Sequence, residues 1–374
     1  MSAEELDKVS VQFHWLDQFE YAGYYAAKEK GFYKDLGLDV TLKNYKYGMN
    51  VANEVLNNKA TYAIGGSDLI VNMNKKAKIK LLFATFQSSP LILLTTPKSG
   101  IKSIKDFKDK RIMLTPDVMS SVTFNAMMKK EGMSMSDMFK QEHSFDVDDL
   151  INQKTDLLQS YISNEPFALK QQDIEPIIFD PKESGFDLYS DIVFTSDDEI
   201  KNHKQRASNF REATLKGWQY AFDNIEETVN IILKKYNSQN RSKEALVYEA
   251  KELKKLAFYG LDSKDQLGYI NINTLQRIYD LHNLMGLAKG TIDFNDFIFK
   301  MQETTDDLRR ISLTKQEKNY LYDKGTIKMC IVSDWKPYES FDENGKHIGM
   351  TADYFAIFKK QIPIGIEIVQ TNSW

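Results

Sequence analysis

From Val9 onward the chain alternates short apolar strands with amphipathic helices, and that order admits few folds. Val9, Val11 and Phe13 alternate as a first strand. Helical spacing runs from about Tyr21 to Lys30, and Gly31 stands where a C-terminal cap belongs. LDVTL reads as a second strand, NVANEVLNN as a short helix, TYAIGG as a third strand, and KIKLLFATF and PLILLTT as two more. Such alternation specifies an α/β unit with a largely parallel sheet, because parallel neighbours need a crossover between them. The Lys-rich run PKSGIKSIKDFKDKRIML then enters a new strand at Arg111. A second set follows: a helix from about Ser120 to Glu131, DDLINQKTDLLQSYIS, NEPFALKQQ, and a strand EPIIF. YSDIVFTS reads as a return. After it, Phe210, Ala213, Gly217, Ala221 and Ile225 hold one helix face. Further helices are expected over Lys243 to Phe258 and Asn273 to Leu287.

One lobe, a crossing, a second lobe, a return and a helical tail describe a two-lobed α/β fold with an interlobe cleft. Ligands of open α/β sheets bind beyond the carboxyl ends of the strands, which here face that cleft. The length, 374 residues, suits two or three such lobes. A net charge of -4 gives no basic footprint for nucleic acid. The single cysteine, Cys330, excludes an intramolecular disulfide and a cysteine-based zinc site. No apolar run approaches the ~18 residues of a membrane span.

Four segments resemble the NMT1/THI5-like family of extracytoplasmic solute-binding proteins: AGYYAAKEKGFYKDLGLDVTL, IGGSDLIV, SGIKSIKDFKDKRI and SYISNEPFALKQQ. With the helical tail they cover about Val9 to Ile311. The first and third recur across many solute-binding proteins, whereas NEPF is more particular to this group. The resemblance implies a type II periplasmic-binding-protein fold over 8–311, with lobe 1 at 8–97 and 193–311 and lobe 2 at 98–192. It also implies a periplasmic or extracytoplasmic setting and a small-molecule ligand, with an aminopyrimidine thiamine precursor as the leading choice.

After a linker at 312–326 the chain begins again. IKMCIVSDWKPYESFDENGKHIGMTADYFAIFKK resembles the opening of the amino-acid-type (family 3) solute-binding proteins. A second, truncated module is therefore expected over 327–374. Tandem modules resemble the sensory ectodomains of membrane-anchored histidine kinases and cyclic-dinucleotide enzymes. That reading carries membrane anchoring of the full-length protein and a homodimeric ectodomain as expectations. A C-terminal strand-helix-strand cap is the plainer alternative.

Candidate ligand contacts follow from the strand exits. His14 and Trp15 leave the first strand, and Trp15 either stacks on a flat ligand ring or packs on the first helix. Gly65 and Gly66 let the backbone approach a ligand beside Ser67 and Asp68, although Asp68 is also placed to cap the next helix. Ser120 and Ser121 open a helix, where free N–H groups suit an anion or form an ordinary cap. In SNEPF, Pro166 biases Glu165 towards an extended form. Asn164 and Glu165 would then offer hydrogen bonds to an aminopyrimidine or amine. Phe19 and Tyr189 are secondary aromatic candidates.

The five histidines show no metal-type spacing, and no nucleophile elbow, P-loop or dinucleotide fingerprint is present. DENGKHIG fits a hairpin turn at Asn344-Gly345 better than a calcium loop. No metal, cofactor or catalysis is expected. The pyrimidine-precursor synthase of the same family carries a CCCFC motif, which a chain with one cysteine cannot match. A free component of an ABC importer is the alternative to a receptor.

Overall fold

The structure is a computed structural model that describes residues 5–67, 69–70, 78–115, 122–299, 320, 324, 326–332, 334–343, 345–359 and 365–371. It divides into two units, Met1–Phe299 and Lys300–Trp374.

The first unit contains strands β1 (Asp7–Gln12), β2 (Leu38–Lys43), β3 (Tyr62–Gly65), β4 (Ile79–Phe86), β5 (Leu91–Thr95), β6 (Arg111–Leu114), β7 (Phe139–Glu142), β8 (Leu157–Tyr161), β9 (Ile177–Phe179) and β10 (Ser190–Ser196). They form two five-stranded sheets, in the orders β2-β1-β3-β10-β4 and β7-β6-β8-β5-β9. Both follow one plan. β1 runs parallel to β2 and β3, as β6 does to β7 and β8. The fourth place in each order is taken by a strand entering from the other lobe, antiparallel to its neighbours. This two-lobed α/β architecture is the one expected.

The crossing points differ from expectation. PLILLTT, assigned to lobe 1 through residue 97, supplies β5 of the second sheet. Ile92, Leu93 and Leu94 are fully buried there, between β8 and β9. An apolar strand carries no mark of which sheet will bury it. The outward crossing therefore falls between β4 and β5, and the return just before Ser190. Asp187 ties the two crossings together: its Oδ1 accepts the N–H groups of Ser89 (3.0 Å) and Leu188 (2.8 Å).

Behind lobe 1, the helix Ala22–Glu29 lies against the long helix Lys204–Asp223. The approach leaves no room for a side chain at either of two glycines. A Cβ on Gly217 would meet Gly23 O at 2.1 Å, and one on Gly23 would meet the ring of Trp218. The single helix face expected through Ile225 is broken at Asn224 (φ -130°, ψ 54°), where the Asn224 amide turns back to Tyr220 O. Ile225 starts a separate helix, Ile225–Lys235. The helices Lys243–Ala257 and Ile272–Leu284 follow.

In the second unit, β11 (Thr326–Val332) pairs in parallel with β15 (Gly365–Thr371). Between them lie a small sheet of β12 (Asp334–Trp335), β13 (Glu339–Phe341) and β14 (His347–Ile348), and the helix Met350–Lys359. Asp342 N–H bonds to Lys346 O at 2.9 Å across the β13–β14 turn, and Gly345 takes φ +73° there. Asn344 lies outside the described residues. Residues 300–319 do too, so most of the expected linker is not described.

Candidate functional site

The loop leaving β1 starts from a fixed base. The Gln12 side-chain amide donates to Phe13 O, Lys43 O and Asn44 O, at 2.9, 3.2 and 3.1 Å. His14 and Trp15 follow. Trp15 lies between two lobes: its ring centroid is 5.6 Å from Tyr45, beyond β2, and 5.6 Å from Phe145, beyond β7. Phe145 is held in the left-handed region (φ +59°), with its N–H bonded to His143 Nδ1 at 2.9 Å. His143 Nε2 in turn meets Gln159 O at 2.8 Å. A non-glycine residue in that conformation persists only where its surroundings hold it. This ring is 54% exposed at the mouth of the cleft.

Deeper in, a buried polar cluster occupies the junction. Glu20, Asp191 and Glu249 are at most 1% exposed. His14 Nε2 stands 3.7 Å from Glu20 Oε1 and 3.8 Å from Asp191 Oδ1, and His14 Nδ1 is 3.2 Å from the Tyr21 hydroxyl. The Gln18 amide donates to Glu20 Oε2, and Ser190 Oγ donates to Asp191 Oδ1 at 3.1 Å. Glu249 Oε1 accepts the Glu20 N–H at 3.0 Å, and Glu249 Oε2 lies 3.7 Å from Arg241 Nε. Burial pushes all three carboxyls up. Asp191 adds to the rise at Glu20. Glu249 reaches about 7, its burial partly offset by Arg241. Asp191 rises mainly through its own desolvation.

The sequence reading singled out none of these three carboxylates. The available signal was an acid inside an apolar run: Glu20 between Phe19 and Tyr21, Asp191 before Ile192-Val193-Phe194, and Glu249 on the buried stripe of Leu246, Ala250 and Leu253.

Of the expected contacts, His14 and Trp15 stand at the junction of the lobes. Ser67 is half-buried where β3 ends, and its carbonyl accepts the Ile70 N–H at 3.0 Å. Asp68, Ser120 and Ser121 lie outside the described residues. Phe19 and Tyr189 are core residues instead of surface contacts. Phe19 is fully buried, its ring 6.4 Å from Phe222. Tyr189 is 4% exposed, and its hydroxyl accepts the Asn271 N–H at 3.0 Å. Asn164 and Glu165 are engaged by the protein itself. Asn164 Oδ1 accepts from Arg241 Nη2 at 2.6 Å, and Glu165 Oε2 accepts from Tyr161 N–H at 2.8 Å. Glu165 is the first residue of the helix Glu165–Lys170, not extended: Pro166 sits in the first turn, where its missing N–H costs nothing. Burial raises the Glu165 carboxyl, against the lowering effect of the Tyr161 N–H and of Arg241. Phe167 stacks on Tyr248 at 5.0 Å. NEPF thus anchors lobe 2 to Arg241 and to the helix Lys243–Ala257.

A separate open groove of about 690 Å³ runs beside Lys251, Lys254, Lys255 and Lys264. Lys255 pairs with Glu252, and Lys254 and Lys264 share Asp223.

Two pseudo-equivalent sheets, joined by two crossing strands around a polar junction, define the type II periplasmic-binding-protein class. The sequence model described as NMT1/THI5 like matches residues 18–228, more than half of the chain. The chain belongs to the NMT1/THI5-like family. It is 22% identical over 238 residues to the riboflavin-binding protein RibY of Chloroflexus aurantiacus, covering 61% of this chain and 66% of that protein, a little under two thirds of its length. The solved aliphatic sulphonate-binding protein SsuA of Escherichia coli superposes with a TM-score of 0.61 at 10% identity, covering 85% of this chain and 99% of that one. The desulfurization enzyme DSZB superposes at 0.56 with 11% identity, covering 78% and 96%. Likeness at that distance is a likeness of fold. No helix among the described residues is long and apolar enough to cross a membrane.

Proposed function

We propose that the first unit binds a small molecule reversibly in the interlobe cleft, outside the cytoplasm, without chemical turnover. The observation that carries this reading is Trp15, standing between Tyr45 of one lobe and Phe145 of the other. Rings facing one another across a hinge can enclose a flat ligand, and each stacking contact adds about 0.5–1.5 kcal/mol beyond area burial. The buried carboxylates beside them favour N–H donors on the ligand. An aminopyrimidine, such as a thiamine precursor, meets both requirements. Family membership supports the reading, as do the names of two relatives, one riboflavin-binding and one sulphonate-binding. His14, Trp15, Ser67 and Asp68 are the proposed contacts from lobe 1, and Ser120 and Ser121 those from lobe 2.

The proposed context is the sensory part of a membrane-anchored, homodimeric receptor, with 327–374 opening a second solute-binding module of the amino-acid type. The observation favouring this over a free importer component is that β11, the helix Met350–Lys359 and β15 repeat the strand-helix-parallel strand opening of the first unit.

Thermal unfolding against pyrimidine thiamine precursors, flavin precursors, alkylsulfonates, amino acids and polyamines tests the function. A ligand at a hundred times its dissociation constant adds about 2.7 kcal/mol. Trp15→Ala is expected to weaken binding of the active compound about tenfold, in line with one lost stacking contact. Unchanged affinity in Trp15→Ala and Phe145→Ala would remove the aromatic cleft from the reading.

A further inference from the structure

We propose that His14, Glu20 and Asp191 form a binding site for a divalent transition-metal ion, with one imidazole nitrogen and two carboxylate oxygens as ligands. The three donors come from separate places in the chain: the loop after β1, the turn before the helix Ala22–Glu29, and the start of β10. Their ligand atoms all lie within 4.8 Å of one another.

The spacing suits an ion. Donors about 2.1 Å from a common centre lie roughly 3.4–3.6 Å apart at tetrahedral to trigonal angles. The separations from His14 Nε2, 3.7 and 3.8 Å, need a contraction of only a few tenths of an ångström.

A second observation points to an occupant. Glu20 and Asp191 are each 1% exposed, yet Glu20 Oε1 and Asp191 Oδ2 find no hydrogen-bond donor. Buried carboxylate oxygens are nearly always satisfied, because leaving one bare forfeits its hydration with nothing in return. A dication at the spacing above satisfies Glu20 Oε1 directly, and it satisfies Asp191 Oδ2 when the Asp191 carboxylate binds through both oxygens, since the oxygen 3.8 Å from His14 Nε2 is Oδ1.

Hydrogen bonds from the surrounding groups fix the orientation of the ligands. With Nδ1–H donated to the Tyr21 hydroxyl, His14 presents the Nε2 lone pair to the carboxylates. Gln18 holds the other oxygen of Glu20, and Ser190 holds Asp191 Oδ1. Glu249 is left out of the set: it accepts the Glu20 N–H and faces Arg241. One imidazole with two carboxylates suits Zn²⁺, Mn²⁺ or Fe²⁺ better than Ca²⁺ or Mg²⁺, which take oxygen alone. Three protein ligands leave at least one position for water or for an atom of a small molecule.

The site stands on its own residues and does not depend on the small-molecule reading. The test is titration calorimetry of the full chain, stripped with EDTA, with ZnCl₂ and separately MnCl₂ at pH 7.5 and no organic ligand. A Co²⁺ absorption spectrum reports coordination. One ion per chain is expected. His14→Ala and Asp191→Asn should each weaken binding at least tenfold, and His203→Ala, at an exposed histidine, should leave it unchanged. Asp191→Asn is near-isosteric, and its melting curve in EDTA shows whether lost binding reflects lost folding. Absence of uptake, or uptake that survives both substitutions, overturns the site. Metal uptake without any hit in the small-molecule panel supports this site and counts against the cleft reading, and the reverse result does the opposite.

Discussion

The two units open with nearly the same local pattern and bury it very differently. In the first, β1 pairs in parallel with β2 over Asp7–Gln12, and in the second β11 pairs in parallel with β15 over Thr326–Val332. Each pair is linked through a helix. β1 also has β3 on its other side, and its Val9 and Val11 are 4% and 0% exposed. In β11 only Ile331 is buried, and residues along the strand alternate between exposed and half-buried. The difference lies in what returns to cover the sheet. The first unit brings back the helix Lys204–Asp223, which crosses Ala22–Glu29 at a glycine-on-glycine contact. Among the described residues of the second unit no helix of that kind is present. A strand-helix-strand unit is therefore specified locally, but its burial depends on residues far along the chain.

The largest expected effect tests that crossing. In Gly217→Ala the new Cβ would lie 2.1 Å from Gly23 O and 2.9 Å from Ala27 N, both backbone atoms that cannot step aside. A loss of about 3 kcal/mol or more is expected in urea unfolding of the first unit. Gly349→Ala in the second unit is also strained, with φ +110° and Tyr338 O at 2.6 Å, but should leave that first-unit transition in place. Equal damage from both would erase the contrast.

An intermediate effect comes from the cluster of buried acids in the first unit, Glu20, Asp191 and Glu249. Glu249 titrates near 7, because burial and the neighbouring Glu20 outweigh Arg241 and the N–H groups of Phe19 and Glu20. A carboxyl raised in the folded state binds its proton more tightly there than in the unfolded chain. Its contribution is complete below the ordinary carboxylate range and is lost as pH rises through about 7. Melting temperature should therefore fall between pH 5 and pH 8, and Glu249→Gln should flatten that fall. An unchanged slope in Glu249→Gln would place the pH dependence elsewhere.

The smallest effect belongs to β11 itself. Lys328 and Glu367 pair across the strands at 3.9 Å, with side chains 71% and 56% exposed. Lys328→Ala should change stability by no more than about 0.5 kcal/mol. A larger loss on thermal unfolding would mean that the second unit depends on this strand edge more than its exposure indicates.

Much of the architecture was legible in local pattern. The strands from Val9, the cap at Gly31 and the return at YSDIVFTS follow from apolar spacing and from glycine's freedom at φ +82°. The site was legible only in part. His14 and Trp15 stand out because strand exits face a cleft. NEPF drew attention to itself, yet Asn164 and Glu165 are held by Arg241 and Tyr161, which no spacing rule could foresee.

The sequence by itself determined the elements and their order, because hydrophobic periodicity and turn chemistry act within a few residues. Tertiary structure alone decided that Leu91–Thr95 joins the second sheet, that Phe19 and Tyr189 turn inward, and that Glu20, Asp191 and Glu249 meet. Those outcomes depend on which surfaces exclude water together. Residues 20 and 249 become neighbours only once the returning helix Lys243–Ala257 has packed against the turn Phe19–Tyr21.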